Sequence, residues 1–135
     1  KALVAVLPAV CALLILNGCT TFEIDTKTRT LSENGFVARV PETPQQREAY
    51  AALTPYKLYR GVVRGSVFYA YKDEKNGVAY IGTDAEYQRY LERARRLVAA
   101  FETTEEKMAA YDMDSDLAYR WYGSWGNFGA AHPRE

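Results

Sequence analysis

Asp112, Asp114 and Asp116 stand two residues apart near the C-terminal end of this 135-residue chain. Calcium loops begin with that spacing, because a hard cation is held by converging oxygens. The pattern then requires glycine at its sixth position and a bidentate glutamate at its twelfth. Leu117 and Gly123 occupy those positions, so the triplet reads as a solvated acidic helix end. His132 is the only histidine, close to the C-terminus beside Pro133. A general base must be held within hydrogen-bond reach of its target, and a terminal tail does not hold it. The serines are Ser32, Ser66, Ser115 and Ser124, and none lies in a G-x-S-x-G elbow. There is no glycine loop of the phosphate-binding type either. These residues give no catalytic group, no metal site and no cofactor, and the chain is expected not to be an enzyme.

Two further groups suggest binding. Arg89, Arg93 and Arg96 recur at helical spacing, with Arg95 alongside. Such a stripe could meet anionic headgroups or polysaccharide, but Glu86 and Glu92 are near enough to pair with it across helical turns. A solvated helix face is the expectation. Trp121, Tyr122, Trp125 and Phe128 cluster between Gly123, Gly126 and Gly129. Tryptophan and tyrosine concentrate at binding hot spots and membrane interfaces. The opposite reading is that these rings fold back onto a sheet. The candidate interaction surface is Trp121, Tyr122, Trp125, Phe128, Tyr69 and Tyr71.

One more reactive side chain is a thiol. Ala2 to Leu16 is an uncharged apolar run behind Lys1, and it ends at Asn17-Gly18-Cys19. A spanning helix needs roughly 20 apolar residues; this run is shorter and carries Pro8. A basic start, a short apolar stretch and a small-residue exit are the marks of a signal peptide. The chain opens without a methionine, so the basic leader is expected to be cut short here.

The exit Leu16-Asn17-Gly18-Cys19 resembles the lipobox of bacterial lipoproteins. That resemblance covers the first 20 residues and implies a diacylglycerol on the Cys19 sulfur, cleavage just before Cys19, and acylation of the new amino terminus. Thr20 stands where an aspartate would favour retention at the inner membrane, so the resemblance implies outer-membrane delivery. Two or more acyl chains anchor firmly, at about 0.8 kcal/mol per buried CH2. Cys11 would leave with the signal. Cys19 would then be the one cysteine kept, with no disulfide within the chain.

The elements that follow must position whatever the chain binds. Seventeen basic residues balance seventeen acidic ones, so no global charge steers the chain to nucleic acid. Residues 20–35 are polar and threonine-rich and read as a tether. Residues 36–40 could add a short strand before Pro41. Thr43 can cap a helix with Pro44 at its first position and Ala49, Tyr50 and Leu53 on one side, ended by Pro55. Residues 56–82 are rich in tyrosine, valine and phenylalanine between Arg64-Gly65 and Asn76-Gly77. That pattern predicts a three-stranded meander near 57–63, 66–72 and 78–82. A two-residue loop at Arg64-Gly65 would set Val62 against Val67, Arg60 against Tyr69 and Leu58 against Tyr71, with Tyr59, Phe68 and Ala70 on the other face.

Thr83 and Glu86 have capping-box spacing. The helix after them carries Tyr87, Leu91, Ala94, Val98 and Phe101 as an apolar stripe. Thr103 and Glu106 offer a second box, restarting the helix to about Tyr111. Both faces of the meander carry large apolar groups, and one helix covers only one face. The second needs residues 36–40, the tail or another copy of the chain.

The expected organisation is a signal peptide over 1–18, a flexible tether over 19–35, a small α+β domain over 36–111 and an acidic, then glycine- and aromatic-rich tail over 112–135. The fold class is α+β: a three-stranded antiparallel meander packed on one long helix, with disordered tether and tail. The expected function is a non-catalytic accessory or interaction module, held at the outer membrane through Cys19 and facing the periplasm. An envelope protein or a second copy is its expected partner. The alternative is a carbohydrate- or peptidoglycan-binding module using the aromatics above. A cell-wall hydrolase working with carboxylates alone is a more distant one.

Overall fold

Arg64 and Gly65 both take positive φ, 52° and 81°. A two-residue turn of that kind matches the right-handed twist of the strands it joins. The computed structural model describes residues 24–98 and 110–125. In it the turn joins β2 (Leu58–Val63) to β3 (Ser66–Asp73), and β4 (Val78–Thr83) completes the meander. Leu58 faces Tyr71, Arg60 faces Tyr69 and Val62 faces Val67, the register expected from the turn. Three strands become five, which corrects the three-stranded expectation. β1 (Val37–Arg39) pairs antiparallel with β4, and β5 (Tyr111–Asp112) pairs parallel with β2. The mixed sheet runs β1-β4-β3-β2-β5.

Four helices cover this sheet among the described residues, where one long helix was expected to pack on it beside the short helix read after Thr43. They are α1 (24–33), α2 (Pro44–Ala52), α3 (Asp84–Val98) and α4 (Ser115–Trp125). Strand side chains alternate between faces, so each face collects its own core. On one face Leu58, Tyr69 and Tyr71 pack with Leu31 of α1, Phe36, and Tyr87, Tyr90 and Ala94 of α3. On the other, Val63, Phe68, Ala70, Ala79 and Ile81 pack with Ala49 and Leu53 of α2 and its end, and with Ala118, Trp121 and Trp125 of α4. The sheet therefore lies between two helical layers, and α2 and α4 supply the second cover that the two-faced meander demands. Gly61 belongs to this packing, because a Cβ there would lie 2.3 Å from the Phe68 ring.

Residues 24–35 of the expected tether are ordered. α1 ends where Gly35, at φ 101°, donates to Ser32 O and Phe36 N–H reaches back to Leu31 O at 3.1 Å. That is a Schellman end, and its Leu31 and Phe36 share one core. Residues 112–125 of the expected tail are ordered too. Asp114 Oδ1 accepts the Leu117 N–H at 2.8 Å and so caps α4. Tyr111 lies in a strand, so the helix expected to restart at Thr103 does not continue through it; Thr103 itself lies outside the described residues.

α2 is capped as expected. The Thr43 hydroxyl accepts from Gln46 N–H, and Gln46 returns the bond to the Thr43 N–H. At α3 the Thr83–Glu86 pair meets through its side chains, the hydroxyl donating to the carboxylate. Tyr87 and Ala94 of the expected stripe are buried, Leu91 packs against them, and Tyr90 joins them; the Val98 side chain and Phe101 lie outside the described residues. Thr83→Ala, which removes this hydrogen bond to the charged Glu86, is expected to cost at most about 1.5–3 kcal/mol, read from the denaturant midpoint. An unchanged midpoint would show that this pair does not hold the strand-to-helix corner.

Candidate functional site

The aromatics singled out from the sequence lie mostly inside. Trp121 is fully buried, Trp125, Tyr69 and Tyr71 are buried, and Tyr122 is half-buried against Phe68 at 6.5 Å between ring centroids. Phe128 and Cys19 lie outside the described residues. Trp121 and Trp125 stack at 5.4 Å, and the Trp121 indole N–H donates to Ala49 O at 3.1 Å. Tyr69 stacks on Tyr87 at 3.9 Å and donates its hydroxyl to Asp84 at 3.1 Å. Trp121, Trp125, Tyr69 and Tyr71 are therefore core residues and not part of an exposed aromatic platform. A sheet with two apolar faces needs large groups on both, and these rings provide them.

The charged candidates are engaged as well. Asp112 pairs with Arg60 at 3.8 Å across β5 and β2, Asp114 caps α4, and Asp116 holds Arg120 at 2.9 Å. The acidic triplet thus has a separate structural task for each carboxylate. Among the described residues no group of three or more His, Cys, Asp and Glu is placed to hold a metal. On α3, Arg89 pairs with Glu86 and Arg96 with Glu92, while Arg93 and Arg95 are exposed, the solvated face expected from spacing. Lys72 and Asp73 are buried charged residues. The Lys72 ammonium sits 4.5 Å from the Tyr50 ring centroid and 3.4 Å from Leu53 O, where the α2 carbonyls end. A cation is favoured there by the helix dipole. Asp73 accepts from the Asn76 backbone and side chain, which sets the β3–β4 turn.

Two shallow depressions lie on the surface of the described residues. One, of about 330 Å3, lies where the β2–β3 turn meets the start of α3 and is lined by Ser66, Thr83, Asp84 and Tyr122. The other, of about 370 Å3, is a groove between α2 and α4 lined by Gln45, Glu48, Ala49, Tyr119, Arg120, Gly123 and Ser124. Arg120 spans it, 3.9 Å from Glu48 and 2.9 Å from Asp116. Tyr119 is 53% exposed, with the Arg64 guanidinium 6.0 Å from its ring centroid. Gly123 sits one helical turn further on, in the last turn of α4. Among the described residues, a Cβ there would meet nothing within 4 Å. A glycine in a helix costs up to about 1 kcal/mol relative to alanine, and no packing among the described residues requires this one. Tyr119 does not stand out in the sequence, because the tryptophans on either side of Gly123 carry the stronger binding signal. The helical spacing of Ala118, Trp121 and Trp125 was the available signal, since it turns Tyr119 and Gly123 outward together.

No protein-family model, curated protein or solved structure matches the chain. The fold and site define an α+β domain with a sheet between two helical layers and an open groove on one of them. Among the described residues no helix is long and apolar enough to cross a membrane.

Proposed function

We propose that the chain is a bacterial outer-membrane lipoprotein. Its folded domain acts as a non-catalytic accessory or interaction module on the periplasmic side, with an envelope protein or a second copy as partner. The observation that carries this reading is the exit Leu16-Asn17-Gly18-Cys19 behind a short apolar run. The position of α1 supports a close attachment. Helix begins by residue 24, and the few residues between it and Cys19 span on the order of 18 Å when fully extended. An acylated Cys19 would hold the domain next to the headgroups, with the α2–α4 groove free for a ligand.

Cys19→Ala is expected to leave the precursor unlipidated and its signal uncut. Labelling with a radioactive or clickable fatty acid, followed by membrane fractionation, reads both. A Cys19→Ala protein that still takes up label and runs at the mature size would overturn the lipoprotein reading.

A further inference from the structure

We propose that the groove between α2 and α4 binds a neutral hexopyranose ring of a glycan, stacked on Tyr119 and passing closely over Gly123. The inference gives the interaction-module reading a ligand. It does not depend on the lipid anchor, so a protein that is never acylated would still bind sugar.

Three observations converge on that groove. Tyr119 and Gly123 are four residues apart on one helix face, so an exposed ring and a bare stretch of backbone lie side by side. A flat ligand can rest on the ring and descend onto the glycine, where any side chain would hold it off. The glycine is unfavourable for the helix and unforced by its described neighbours, which is the expected mark of close approach from outside. Second, the rim is polar and balanced. Glu48 offers acceptors, Arg120 offers donors, and their charges cancel. Gln45 supplies both kinds of group, and the Ser124 oxygen is within the same lining. Sugar hydroxyls donate and accept at once, and this mixture suits them better than it suits an anion or an apolar tail. Third, Arg120 lies between Glu48 at 3.9 Å and Asp116 at 2.9 Å, which biases its donors towards the groove. The groove, at about 370 Å3, falls in the lower part of the size range of small-ligand clefts.

The test uses the full chain purified in detergent, titrated with chitotetraose and cellotetraose. Binding is read by calorimetry and by the aromatic NMR signals. One or both probes should bind saturably and shift the Tyr119 ring resonances. Tyr119→Ala should weaken binding about tenfold or more, the loss expected for a central aromatic contact. Gly123→Leu should abolish binding while the melting temperature stays level or rises, because leucine favours the helix and its Cβ meets nothing within 4 Å among the described residues. That combination separates a blocked groove from a damaged fold. Three results would overturn the proposal: neither probe binding at millimolar concentration, binding unchanged in Gly123→Leu, or a wild-type dimer that Gly123→Leu dissociates. The last would make the groove a contact between copies.

Discussion

Trp121→Ala is expected to destabilise the domain by about 3–5 kcal/mol, the range for removing a buried tryptophan. A typical domain has about 5–15 kcal/mol in hand, so the variant should be unfolded or close to it at 37 °C. Trp121 is 0% exposed and the largest of the fully buried side chains. Its ring joins α4 to the sheet core and stacks on Trp125. Its N–H has a second task at the end of α2. There the Leu53 N–H turns to Tyr50 O, and the Trp121 indole bonds to Ala49 O. Trp121→Phe keeps most of the apolar area and loses that bond, so its cost should be clearly smaller. Equilibrium urea unfolding of both variants checks the ranking. A Trp121→Ala protein with the wild-type midpoint would mean that α4 does not cover this face.

Alkaline pH should unfold the domain cooperatively. Tyr50, Tyr69, Tyr71, Tyr80, Tyr87 and Tyr90 all have acidities pushed above the usual value of 10.0, and in each the leading cause is burial. Tyr69 is pushed up to about 12 by burial and then by the hydrogen bond to Asp84. Tyr90 is pushed up to about 12 by burial and then by the neighbouring Tyr87. For Tyr71 the burial effect is reinforced by the Asp73 charge. In each case the fold holds its proton more tightly than the unfolded chain does. The stabilisation is fully present below the unfolded value of about 10 and is lost as pH rises towards and through the folded values. Melting temperature should be insensitive to tyrosine ionisation up to about pH 10 and fall steeply above it. Tyrosinate absorbance from these rings should rise together with loss of the circular dichroism signal. Ionisation of all six while the fold persists would contradict the burial of this tyrosine core.

The meander was legible because local chemistry fixes it. Arg64-Gly65 permits the two-residue turn, and the turn dictates every cross-strand pair in the hairpin. α2 was legible through its cap at Thr43 and through Pro44, and the start of α3 through the spacing of Thr83 and Glu86, since these contacts are local. The rest depends on tertiary context. Residues 24–33 are rich in threonine, a weak helix former, and their helix is held mainly by Leu31 in the core and the Asn34-Gly35 end. β5 contains two residues, too few to show any period, and it exists because β2 offers an edge for Tyr111 and Asp112. α4 was hidden by its glycine and acidic content, although Asp114 ahead of Leu117 is a cap signal. The candidate aromatics were visible as residues but not as core. Exposure is decided by which helices close over the sheet, and two of those helices were read as tether and tail.

The central claim is that an anchored lipoprotein carries this domain, and mass spectrometry of the amino-terminal peptide of the protein taken from its own membrane tests it most directly. The account predicts that the mature chain begins at Cys19, with a thioether-linked diacylglycerol on the sulfur and a further acyl group on the amine. A mature chain that begins elsewhere, or that keeps Cys19 as an unmodified thiol, would contradict it.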